Sequence, residues 1–395
     1  MSKLKETLST LFKDLNINTP DISFKVIFWD GTTDNYGSMS PQFTLHLKTE
    51  NAAARILRSG SLGFAEEYVN GNILVEGDIT LLIRLCNDPH LKLSLRTKLL
   101  IFFYYLKTLN TLDNSKKNIS HHYDLGNDFF KLWLDKTMAY TCAYYKKDSD
   151  TLEQAQLQKY EHICRKLQLK KGDTLIDLGC GWGEFLIYAA REFGINGMGI
   201  SINEQQAEYA RGRSRQEGVE DKAHFVLEDY RNVTGQYDKV STIGMTEHIG
   251  KNYLPLFIKK IKSLLKPEGF GLLHTIGNIV AKPPDPWLVK YIFPGVYIPA
   301  LNEVAYLMGK EGLVITDVEN LRFHYPITLD EWSRRFEQNI EKIKNMFDER
   351  FIRMWYLYLK GTSGSLRYGN YQLYQMTFTK GSNNSIPLTR EHLYC

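Results

Sequence analysis

The stretch Leu175-Ile-Asp-Leu-Gly-Cys-Gly-Trp-Gly183 joins an apolar run to an acidic residue and then to glycines at 179, 181 and 183. Thr174 to Leu178 predicts a buried parallel strand, and the apolar periodicity of Glu184 to Phe193 predicts a helix packed against it. Glycines between them let the backbone turn tightly and approach a ligand without Cβ atoms, while the helix start offers free N–H groups to an anion. The spacing selects among ligands. A dinucleotide fingerprint is Gly-x-Gly-x-x-Gly, but position 184 is Glu and the acid precedes the first glycine, which disfavours NAD.

Outward from this turn, strands predicted at 195–200, 223–227, 238–243 and 270–275 alternate with helices, the rhythm of a doubly wound α/β sheet. Pro283-Pro-Asp-Pro286 breaks that rhythm, and the Pro- and aromatic-rich stretch around 281–305 suits an inserted loop or lid. Leu313 to Val318 and Leu373 to Thr379 suit the last strands, and the polar tail from Gly381 is expected to be loosely held. Residues 1–115 form a separate, smaller α+β unit. It begins with a helix over Met1 to Leu15, followed by strands over Phe24 to Trp29 and Phe43 to Leu47 and a helix opening at Ala52 to Leu57. Asp30-Gly31 is a hairpin signal. The polar run Asp113 to Ser120 reads as the link to a second domain, 116–395.

A chain of 395 residues with 43% hydrophobic content can bury two sizeable cores. A net charge of +4 gives no global field for nucleic acid, so no nucleic-acid partner is expected. The five cysteines are scattered without Cys-x-x-Cys spacing, which argues against a disulfide framework or a zinc site and for a reducing cytoplasm. No stretch approaches the roughly 20 apolar residues of a membrane span. Leu91 to Leu109 is apolar and aromatic with Lys92, Arg96, Lys98 and Lys107. It suits either a helix on an anionic membrane surface or one buried between domains with its lysines snorkelling.

Asp-x-Gly-x-Gly-x-Gly after a strand resembles motif I of the class I S-adenosylmethionine-dependent methyltransferases. Four further motifs make the likeness specific. In order with the glycine turn, His121-His-Tyr-Asp-Leu-Gly-Asn-Asp-Phe-Phe130, Tyr140-Thr-Cys-Ala-Tyr-Tyr145, Gly244-Met-Thr-Glu-His-Ile-Gly250 and Leu272-Leu-His-Thr-Ile-Gly277 resemble the cyclopropane-fatty-acyl-phospholipid synthase family over residues 116–380. The resemblance implies a Rossmann-like methyltransferase sheet that moves a methylene from S-adenosylmethionine to the cis double bond of an acyl chain. It also implies a bound bicarbonate, phospholipid substrates, a homodimer, and a cytoplasmic protein in reversible contact with the inner face of the membrane.

Carried over by residue, Tyr140 and Thr141 match a Tyr-Ser pair that contacts the cofactor, Thr141 retaining the hydroxyl. Asp177, Gly179, Cys180, Gly181 and Gly183 match the glycine turn. Ser201 to Gln206 match the ribose-contacting segment, where the Gln206 amide stands in for the usual acid, or merely opens a solvated helix. Asp229, Tyr230 and Arg231 match the group beside the adenine. The bicarbonate site implied by the resemblance is Cys142, Glu247, His274, the backbone of Ile276, and Tyr325, where the bound ion accepts the proton lost on ring closure beside a general base such as Glu247. Each has a plainer reading: a small buried thiol at 142, a sheet-edge loop at 247, a core histidine at 274. Where many relatives carry a cysteine in the segment matching Lys360 to Gly364, this chain has Thr362, which is no thiolate substitute. Two alternatives stay open: an acyl-chain methyltransferase that closes no ring, and a cofactor- or lipid-binding protein without catalysis.

Overall fold

The computed structural model describes residues 3–86 and 125–394. The expected membrane-or-interior segment Leu91 to Leu109, the link Asp113 to Ser120 and the start of the His121 motif lie outside the described residues. The chain gathers into two compact units that interleave in sequence. One holds 3–86 with 283–294 and 332–370, the other 125–282 with 295–331 and 371–394. The division expected at residue 115 therefore does not separate them by itself. Half of the Pro- and aromatic-rich insertion and the helix Glu349–Tyr368 group with the N-terminal residues.

In the first unit, helix α1 (Lys3–Asn18) buries Leu8, Phe12 and Leu15 on one face, the i, i+4, i+7 pattern of an amphipathic helix. Strands β1 (Phe24–Ile27), β2 (Thr33–Tyr36), β3 (Phe43–Leu47) and β4 (Ile73–Gly77) form a sheet in the order β2-β1-β3-β4. The β1–β2 pair is the hairpin expected at Asp30-Gly31, with Gly31 at φ 81°. Phe24 stacks on Phe43 at 5.1 Å and on Tyr36 at 4.8 Å, tying three strands through one side chain. Helix α2 (Glu50–Val69) is capped by the Thr49 hydroxyl and kinks at Gly60. Helix α3 (Ile79–Cys86) lies so close to the helix Glu349–Tyr368 that a Cβ at Gly364 would meet Ile83 at 2.9 Å.

The second unit is a seven-stranded sheet. Its strands are β5 (Thr174–Leu178), β6 (Asn196–Ser201), β7 (Ala223–Leu227), β8 (Tyr237–Ile243), β9 (Leu265–Asn278), β10 (Leu313–Asn320) and β11 (Tyr371–Lys380), in the order β10-β11-β9-β8-β5-β6-β7. β5 to β9 pair in parallel, and β11 runs antiparallel to both β9 and β10. Ile176, Leu178, Val240, Phe257, Ile261 and Leu273 pack one cluster, and Ile163, Leu175, Leu186, Ile195 and Phe225 pack another. Each such side chain contributes about 1.5–3 kcal/mol on burial. The helix Glu184–Phe193 runs between Gly183 at φ 84° and Gly194 at φ 67°, both positive-φ positions that glycine adopts without strain.

Two expectations need correction. β9 begins five residues earlier than expected, because Glu268 adopts φ 60° and lets Lys266-Pro-Glu-Gly269 continue the strand. The tail is tied down: Asn383 Nδ2 donates to the Glu268 carbonyl at 2.6 Å, Arg390 forks onto Asp317 at 2.6 and 2.9 Å, and Leu393 is buried. Among the described residues, no helix is long and apolar enough to cross a membrane.

Candidate active site

Strand order reverses direction at β5, with β6 on one side and β8 on the other, and a cleft opens beyond the carboxyl ends of these strands, as expected in open α/β sheets. Counting its open mouth, it encloses about 1140 Å³. Its wall contains Tyr140, Thr141, Asp177, Gly179, Cys180, Gly181, Ser201, Gln206, Asp229, Tyr230 and Arg231, eleven of the twelve expected cofactor residues. The twelfth, Gly183, is not in the wall. A Cβ there would collide with Phe225 and Ala210 at 2.7–2.8 Å, so this glycine serves helix packing and its own positive φ.

The glycine turn is open where a ligand needs space. Gly181 sits at φ 55°, and a Cβ on it would meet only the Glu184 carboxylate at 3.9 Å. By contrast, a Cβ at Gly179 would strike Met245 at 2.8 Å. Gly179 and Cys180 N–H both donate to the Ile200 carbonyl, fixing the turn to β6. Asp177 accepts from the Ser241 hydroxyl at 2.6 Å, and burial pushes its carboxyl up to about 7. The Asn203 side chain caps the helix Glu204–Gln216 through Gln206 N–H. The Ser201 hydroxyl donates to Gln206 Oε1 at 3.3 Å, which leaves the amide NH₂ as a donor in the cleft. Asp229 and Arg231 form a forked pair at 2.6 and 2.8 Å. Burial alone would raise the Asp229 carboxyl, but the guanidinium outweighs it and holds it low.

Sequence reading missed several wall residues, Lys159 and Glu184 foremost. Lys159 is buried on the helix Leu152–Lys166 and donates to the Thr141 hydroxyl at 2.7 Å. Gln156 of the same helix donates to the Thr141 carbonyl at 3.0 Å. Burial depresses the Lys159 ammonium and raises the Glu184 carboxyl, each opposed by the other's charge. Glu184 Oε2 is buried with no hydrogen-bond partner among the described residues. The available signal was a polar stripe, Gln156, Lys159, His162 and Lys166, at helical spacing on a face that also carries Ile163; all four are buried.

None of the expected catalytic residues Cys142, Glu247, His274, Ile276 and Tyr325 is in the cleft wall; Glu247 and Ile276 are joined directly, next to the wall residues Met245 and His248. β8 and β9 pair so that Ile243 faces His274, and Gly244 N–H donates to the His274 carbonyl. The turn after β8 becomes the short helix Thr246–Ile249, which carries Glu247. Glu247 Oε1 accepts from the Ile276 N–H at 2.5 Å, and its backbone carbonyl accepts from Tyr297 N–H at 2.9 Å. Oε2 is buried without a partner among the described residues. Burial pushes this carboxyl up to about 7, with the Ile276 N–H pulling the other way. Burial also holds His248, in the cleft wall, down at about 4.

Cys142 is buried, its thiol pushed well up by burial, so it is a poor thiolate and no nucleophile. The irregular segment it belongs to is pinned on both sides of it. A Cβ at Gly244 would touch Thr141 at 2.9 Å, Ala143 N–H donates to Thr328 Oγ1, and Tyr145 N–H donates to His324 Nδ1. Tyr325, buried in the first turn of the helix His324–Gln338, is therefore carried by a turn bound to residues 143–145. Thr362 belongs to the helix Glu349–Tyr368 of the other unit and is not in the cleft wall.

With this geometry in hand, comparison with known proteins gives concordant findings. A family model described as mycolic acid cyclopropane synthetase matches residues 110–376, and a domain of unknown function matches residues 9–91. A probable fatty acid methyltransferase of Pseudomonas putida is 33% identical over 388 residues, covering 94% of this chain and 96% of that protein. The cyclopropane-fatty-acyl-phospholipid synthase of Escherichia coli K12 is 34% identical over 350 residues, covering 88% and 90%. A crystal structure of the mycolic acid cyclopropane synthase CmaA1 with SAH and CTAB superposes with a TM-score of 0.64 at 30% identity, covering 67% of this chain and 98% of that one. The fold is that of a class I S-adenosylmethionine-dependent methyltransferase.

Proposed function

The chain belongs to the mycolic acid cyclopropane synthetase family, and we propose that it transfers a methylene from S-adenosylmethionine to the cis double bond of an unsaturated acyl chain in a membrane phospholipid, closing a cyclopropane ring. The observation that carries this reading is Glu247, a buried carboxyl with one oxygen unpartnered beside a cleft suited to the cofactor.

The cleft fits S-adenosylmethionine on its own chemistry. The space over Gly181 admits the methionine moiety, and the unpartnered Glu184 Oε2 is an acceptor for its ammonium. The Gln206 amide would donate to a ribose hydroxyl, and Tyr230 with the Asp229–Arg231 pair would hold the adenine. When bound, the cofactor supplies a methyl group electrophilic enough for an alkene, which is a poor nucleophile.

What distinguishes a ring from a methyl branch is the removal of one proton from the transferred carbon after the alkene has attacked. Glu247 Oε2 is the atom assigned to that task, since a carboxyl near 7 is both a populated base and a competent acid at neutral pH. Burial of Glu247 keeps its carboxyl away from water that would quench the cationic chain to an alcohol. Bicarbonate fits the same place in part. Glu247 Oε2 can accept its O–H, with Cys142, His274, the Ile276 amide and Tyr325 as the remaining holders, and the ion would add a proton-accepting oxygen. The Ile276 N–H is shared in this reading, because it already donates to Glu247.

Purified chain, mixed with the cofactor and phospholipid vesicles, is expected to release S-adenosylhomocysteine with cis-unsaturated acyl chains and not with saturated ones. Equal release from both, or none, refutes the reading. The Pseudomonas relative favours a second reading, an acyl methyltransferase that closes no ring. A methyl-branched product in the same assay would establish it.

A further inference from the structure

The inward polar stripe of the helix Leu152–Lys166 continues past the cleft. Lys166 Nζ, whose side chain is 2% exposed, lies 2.5 Å from Glu319 Oε2 and 2.8 Å from Gln375 Oε1. An ammonium has three donors and no acceptor, so the amide oxygen of Gln375 has to face it. That choice fixes the other end of the same planar group. Gln375 Nε2 then points at His274 Nδ1, 3.0 Å away. An amide NH₂ only donates, which requires Nδ1 to be a bare acceptor. Turning the amide over would set NH₂ against the ammonium at a buried site, where opposed donors are costly.

We propose that Lys166, Gln375 and Glu319 are positioning residues that hold His274 as its neutral Nε2–H tautomer, so that His274 serves the reaction as a hydrogen-bond donor and leaves Glu247 as the proton acceptor. Glu319 secures the arrangement from behind. It takes Lys166 on Oε2 and, on the same oxygen, His162 Nε2 at 2.7 Å. His162 is itself clamped by Tyr144, stacked at 4.3 Å and 18°. Burial would raise the Glu319 carboxyl, but His162 and Lys166 overcome it and keep it at about 2, a permanent anion for the ammonium. Burial, reinforced by the Lys159 and Lys166 charges, holds His274 down at about 3, so the ring stays neutral across the working range. Each link is between side chains of one compact unit.

The assignment of a donor role to His274 rests on the proposed reaction, but the tautomer does not, and the test separates them. Full-length chain labelled with ¹⁵N-histidine is expected to show, for His274, a pyridine-like Nδ1 and a pyrrole-like Nε2, identified by their loss in His274→Gln. A pyrrole-like Nδ1, or a doubly protonated ring, overturns the proposal. Gln375→Glu offers acceptors to both Lys166 and the imidazole, so the proton is expected to move to Nδ1 and kcat to fall about tenfold or more, with cofactor KM nearly unchanged. Lys166→Arg, still a pure donor, is expected to retain the wild-type signals and most of the rate. A flipped tautomer in Gln375→Glu with undiminished kcat overturns the positioning role. The wild-type tautomer in a chain that makes no lipid product refutes the proposed function and leaves the network standing.

Discussion

Glu247→Gln separates chemistry from folding in one variant, because the same burial that makes Glu247 useful makes its charge costly. The carboxyl rises from 4.5 to about 7 on folding. A carboxyl raised in this way favours the folded state fully below its unfolded value, and that contribution is lost as pH climbs through 7. Integrated from pH 5 to pH 8.5, the loss is about 2.5 kcal/mol. Glutamine does not ionise, so the stability of the variant relative to wild type should improve by about that amount over the same range. Its NH₂, placed where Oε2 lacks a partner, costs about 1–3 kcal/mol, but this offset is independent of pH and leaves the slope intact. Urea unfolding at the two pH values reads the slope. Turnover should meanwhile fall about a hundredfold or more, while calorimetric affinity for the cofactor stays near normal. A flat stability difference would show that the carboxyl is not perturbed by burial. Surviving turnover with an unchanged acid limb near pH 7 would show that Glu247 is only structural.

Gly181→Val places a β-branched residue at φ 55° over the open part of the turn, and calorimetry should find no cofactor binding; wild-type affinity would refute the assignment of that space. Glu184→Gln replaces the carboxyl proposed to take the cofactor ammonium, so affinity should drop about tenfold to a hundredfold, and an unchanged Kd would assign Glu184 to Lys159 alone. Thr362→Ala should keep its rate, because Thr362 lies outside the cleft wall; a collapse of turnover in a folded variant, judged by its melting curve, would contradict that.

Local pattern was enough for the sheet and the turn. Thr174–Leu178 and Glu184–Phe193 have the expected limits because positive-φ glycines end the strand at Gly179 and bound the helix at Gly183 and Gly194. The cleft wall was legible chiefly through the family resemblance, and βα turns at neighbouring strand ends bring many of its residues together. The stripe Gln156, Lys159, His162 and Lys166 was not, because long polar side chains in a helix ordinarily mark its solvent face. Only the tertiary partners Thr141, Glu319 and Gln375 reveal that this face is buried. Nor does any local signal say that 283–294 and 332–370 gather with the N-terminal residues, a grouping created by contacts far apart in sequence such as Lys290 with Glu66 and Arg353 with the Val69 carbonyl.

The central claim concerns the fate of one proton, and isotopes follow it directly. Supplied with S-adenosylmethionine carrying a fully deuterated methyl and with cis-unsaturated phospholipid, the chain should yield a lipid whose added carbon keeps two deuterium atoms within a three-membered ring, the double bond being consumed. A product bearing an intact trideuterated methyl branch, or one that retains or shifts its double bond, would contradict the account.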